Sequence, residues 1–110
     1  MKEIVHAQCW AHTRRNFVEA QSVEPTLVTQ ALEQIGTLYA LEAQGREQKV
    51  IEDTKLHHRL VHAQPVVEQF FAWLEQTVRE VVLLPSTPFR HAAQYALDRR
   101  AALVEAALRQ

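Results

Sequence analysis

Along most of the 110-residue chain, apolar residues recur at three- and four-residue steps, the spacing that gathers them on one face of an α-helix. A first helix is expected from Trp10 to Gln21, with Trp10, Arg14, Phe17 and Val18 on one face and Ala11 and Ala20 favouring the conformation. Ser22 to Glu24 interrupt it, and Pro25 suits the first turn of a second helix, where its absent N–H leaves nothing unsatisfied. That helix carries Val28, Ala31, Leu32, Ile35, Leu38 and Tyr39, and Gly45 is a natural stop. Gly36 lies inside it at a cost of about 1 kcal/mol relative to alanine, which close approach of another helix would offset.

A third segment, from Glu47 to Leu83, keeps Leu56, Leu60, Ala63, Val67, Phe71, Leu74, Val78 and Val82 in helical phase straight across Pro65. This predicts one long helix kinked at the proline, reaching roughly 50 Å. Within it, the cluster Phe70, Phe71, Trp73 and Leu74 is expected to be core. Thr87 as N-cap and Pro88 in the first turn start a fourth helix with Phe89, Ala93, Ala96, Leu97, Val104, Ala107 and Leu108 along its stripe. Lys2 to Gln8 form the only candidate strand, too short and solitary to build a sheet within this chain. The expected fold is mainly α: a short N-terminal strand, then a helical bundle of about four helices, the third long and kinked at Pro65.

Composition agrees with helix, since there are only 2 glycines and 4 prolines and the hydrophobic content of 47% can fill a core. No run approaches the roughly 18 apolar residues of a membrane span, so no membrane partner and a cytoplasmic location are expected. The single cysteine excludes an internal disulfide. A net charge of −1 gives the whole molecule no general attraction to nucleic acid, so any such contact must come from a local patch.

The most specific run is Cys9-Trp10-Ala11-His12-Thr13-Arg14-Arg15-Asn16-Phe17. With Ile35-Gly36-Thr37-Leu38-Tyr39-Ala40, Phe71-Ala72-Trp73-Leu74 and Tyr95-Ala96-Leu97-Asp98-Arg99 in the same order, it resembles the IS66-family transposases over nearly the whole chain. Asn16 stands where many relatives have lysine, and Asp98 where asparagine is common.

The resemblance implies an RNase H-like catalytic domain interrupted by a helical insertion, acting in DNA transposition and recombination within a mobile element. Three carboxylates of such an enzyme hold two divalent ions, Mg or Mn, about 4 Å apart to stabilise the attacking and leaving oxygens. It places the first two carboxylates before Met1 and the third after Gln110. The chain is thus expected to be a fragment: residues 1–21 a strand-helix unit of the catalytic domain, residues 22–110 the helical insertion bundle. On that expectation it is not itself an enzyme and holds no catalytic residue, metal site or cofactor. Asp53 and Asp98 fall in expected helices without an acidic cluster around them.

Cys9, Trp10, His12 and Phe17 carry the signature, with a structural role at a strand-to-helix junction or a supporting one beside the catalytic carboxylates. Arg14, Arg15, Arg99 and Arg100 are the candidate DNA-backbone contacts, and Lys55 with Arg59 is a further basic pair, although ordinary solvated surface explains any single pair. The spacing of Cys9 and His12, or of His58 and His62, would admit two metal ligands, but no complete set of four follows. The competing interpretation is a helical self-association or protein-binding module. A homo-oligomer is expected because an orphan strand edge and uncovered apolar stripes favour pairing.

Overall fold

Where described, the apolar stripes form helices packed on a shared aromatic core. The computed structural model describes the backbone of residues 2–47, 59–80 and 87–109, and the side chains of 10–44, 61–80 and 87–108. The described elements are α1 (Lys2–Glu19), α2 (Pro25–Glu47), a π-helical turn (Arg59–Ala63) running into α3 (Gln64–Glu80), α4 (Pro88–Asp98) and α5 (Arg100–Arg109). The fold is mainly α, with no strand among the described residues.

Residues 2–8 belong to α1 rather than to a strand. A lone strand leaves its backbone donors and acceptors without partners in this chain, whereas a helix satisfies them internally. In α1 the buried arc is Trp10, Thr13, Phe17 and Ala20, while Arg14 and Val18 turn outward. The burial is therefore centred one position away from the face that the apolar spacing suggested.

A turn closes α1: the Ala20 N–H donates to Phe17 and the Glu24 N–H to Ala20. Pro25 then opens α2, as its fixed backbone angle favours. Val28, Ala31, Ile35 and Leu38 are the buried side of α2. Two expectations about its glycines are corrected. A Cβ added at Gly36 would meet nothing within 4 Å, so no helix among the described residues approaches there. The helix also passes through Gly45 and is described as far as Glu47; glycine permits a helix stop but does not impose one.

Where a kink is expected at Pro65, the structure has a π turn ending two residues before it, at Ala63. A proline lacks the N–H that closes an α turn and its ring crowds the preceding carbonyl, so a wider turn at this position relieves both problems. Val67, Phe70, Phe71, Leu74 and Thr77 then face inward. The outer parts of the expected long helix, with Asp53, Lys55, Leu56, His58 and Val82, lie outside the described residues.

The expected fourth helix is broken in two. Arg99 leaves helical geometry with φ −108° and ψ 20°, and its N–H closes a tight turn onto the Ala96 carbonyl. Phe89, Ala92, Ala93 and Ala96 of α4 are buried, as are Leu103 and Leu108 of α5.

Close aromatic pairs among the described residues tie these helices together. Phe70 lies 6.0 Å from Trp10, 6.3 Å from Phe17 and 5.2 Å from Phe71, and Phe89 lies 5.6 Å from Phe17 and 6.1 Å from Trp73 (ring centroids). Most are tilted or edge-to-face, the arrangement in which aromatic rings attract beyond simple burial. Trp10 meets Leu103 while Phe17 meets Phe89, so α4 and α5 run antiparallel to α1. No helix among the described residues is long and apolar enough to cross a membrane.

Candidate functional site

The signature run lies on α1, and the helical period divides it between core and surface. Trp10 and Phe17 point inward, at 6% and 0% exposure, and both contact Phe70. The Trp10 indole N–H donates to the Leu103 carbonyl of α5 at 2.9 Å, a buried bond joining residues 93 positions apart. Thr13, between the two aromatics, is fully buried. His12, Arg14 and Arg15 are exposed on the outer side. Cys9 has its backbone in α1, but its side chain lies outside the described residues.

Arg14 stands near Tyr39 of α2. Burial pushes the Tyr39 phenol above its ordinary value, and the positive charge of Arg14 pulls it part of the way back. Arg15 lies one position on, rotated further from the core.

The other candidate pair, Arg99 and Arg100, occupies the joint between α4 and α5, and intramolecular contacts hold both. The Arg99 guanidinium lies 3.8 Å from the centre of the Tyr95 ring, and its Nη1 donates to the Tyr95 carbonyl at 3.4 Å. Arg100 pairs with Glu75 of α3 and lies 5.1 Å from the centre of the Phe71 ring. Glu75 also faces Arg79 at 3.9 Å. Asp98, on the last turn of α4, accepts from Gln94 at 2.8 Å.

Three contributors escaped sequence reasoning. Leu103, acceptor for Trp10, lies too far along the chain for any local signal to pair them. Glu24 accepts from the Phe89 N–H at 3.1 Å and caps α4, a task expected of Thr87, whose side chain makes no capping hydrogen bond. Glu75 is the third, and its four-residue spacing from Arg79 is a signal that was available.

Among the described residues no group of three or more His, Cys, Asp or Glu is placed to hold a metal ion. His62 is exposed, and its expected companion His58 lies outside the described residues.

The family model described as "Transposase IS66 family" matches residues 1–108. No curated protein and no solved structure matches the chain. The motif that locks α1 into the core thus sits inside a match covering nearly the whole sequence, and the chain belongs to the IS66 family of transposases.

Proposed function

We propose that this chain is a helical scaffold of an IS66-type transposase, serving its architecture and its grip on the DNA backbone rather than the carboxylate chemistry itself. The observation that carries this reading is the division of labour on α1. Its inner residues Trp10 and Phe17 bind the fold together, while Arg14 and Arg15 project from the exposed side. Guanidinium groups on a rigid helix suit charge-assisted bonds to phosphate, which set position on a duplex without reading its sequence.

Titration of the chain with duplex DNA across a salt series tests the proposal. The double variant Arg14→Ala/Arg15→Ala should bind more weakly, with a salt slope shallower by about two. An unchanged slope removes these residues from the DNA contact. Cleavage of DNA by the purified chain with Mg²⁺ or Mn²⁺ overturns the scaffold role.

A further inference from the structure

We propose that Arg79 and Arg100 form a second binding point for a DNA-backbone phosphate, and that Glu75 occupies this point as an internal competitor. The inference rests on the reading of the chain as a DNA-contacting scaffold. It locates a contact on different helices and gives that contact an occupant that must leave.

The two oxygens of the Glu75 carboxylate face different guanidiniums: Oε1 meets Arg100 of α5, and Oε2 lies 3.9 Å from Arg79 on its own helix. Two cationic forks around one anion with two oxygens is also the arrangement that receives a phosphodiester, which offers one negative charge on two unesterified oxygens. The side chains of Arg79, Glu75 and Arg100 are 77%, 42% and 47% exposed, so a phosphate can reach the clamp. Ion pairs this open to water are weak, which makes the carboxylate displaceable.

One arm of the clamp is set without help from Glu75, while Arg79, on the same helix as Glu75, is free to turn toward a phosphate. Arg100 rests on the face of Phe71, itself fully buried, and neighbouring Arg99 is stacked on Tyr95. The Arg100 guanidinium is thereby presented in place before any ligand arrives. Releasing Glu75 exposes two positive charges beside a third.

The test uses the full chain and a short DNA duplex in salt-dependent titrations. Glu75→Gln should bind roughly fivefold more tightly than the unmodified chain, the gain expected from removing one exposed ion pair. Its salt slope should steepen by about one. Adding Arg100→Ala to Glu75→Gln should abolish the gain. Glu68→Gln removes an equal charge from the same helix without touching the clamp, and should leave affinity unchanged; thermal unfolding verifies that each variant folds.

If Glu75→Gln binds no more tightly, or Glu68→Gln gains as much, the internal competitor is overturned. If Arg14→Ala/Arg15→Ala weakens binding while Glu75→Gln changes nothing, this inference alone fails. If neither the unmodified chain nor Glu75→Gln binds duplex, the scaffold's DNA contact fails with it.

Discussion

Gly36 is the residue at which local preference and environment diverge most simply. It lies mid-helix in α2 with open space where a Cβ would stand. A glycine here gains nothing from close packing and still carries the larger entropy loss on folding. Gly36→Ala should therefore stabilise the chain by about 0.5–1 kcal/mol, read as a raised denaturation midpoint with an unchanged slope. A lowered midpoint would mean the site is crowded after all. The helical position of Gly36 followed from the sequence, whereas its surroundings depend on distant segments and had no local signature. Pro25 and Pro88 are the opposite case, because a fixed φ and a missing N–H act within the residue itself, and both open helices where the sequence placed them.

At the level of helices, starts were easier to read than ends and breaks. The start of α4 is capped from outside its own segment, by Glu24 in the turn between α1 and α2. That carboxylate places negative charge at a helix N-terminus, where the dipole favours it. Glu24→Ala should cost about 1 kcal/mol of stability, and amide exchange at Phe89 should speed up. Unchanged protection at Phe89 would assign the cap elsewhere. Sequence reasoning turned to Thr87 because capping rules describe neighbours along the chain, and Glu24 is a neighbour only in space. The break at Arg99 was hidden for a similar reason. The stripe from Phe89 to Leu108 contains neither glycine nor proline to announce a stop.

Over the whole molecule, the core was legible as a list of residues and not as a set of partners. Phe70, Phe71 and Leu74 were expected inside and are buried. That Phe70 would meet both Trp10 and Phe17 depends on how the helices cross, which periodicity does not encode. For the candidate site, the signature residues stood out by type and spacing, while their division into inner and outer sets needed the orientation of α1. The bond from Trp10 to Leu103 joins the first and last helices, and Trp10→Phe tests it. The ring would still fill the space, but a buried carbonyl would lose its donor, so the variant should be destabilised by about 1–3 kcal/mol in urea unfolding. A midpoint equal to that of the unmodified chain would show that the carbonyl finds another donor.

The antiparallel course of α1 against α4 and α5 sets Trp10 against Leu103 and Phe17 against Phe89. Early and late helices thus line one shared core, so pulling either away should unravel the other in the same cooperative step.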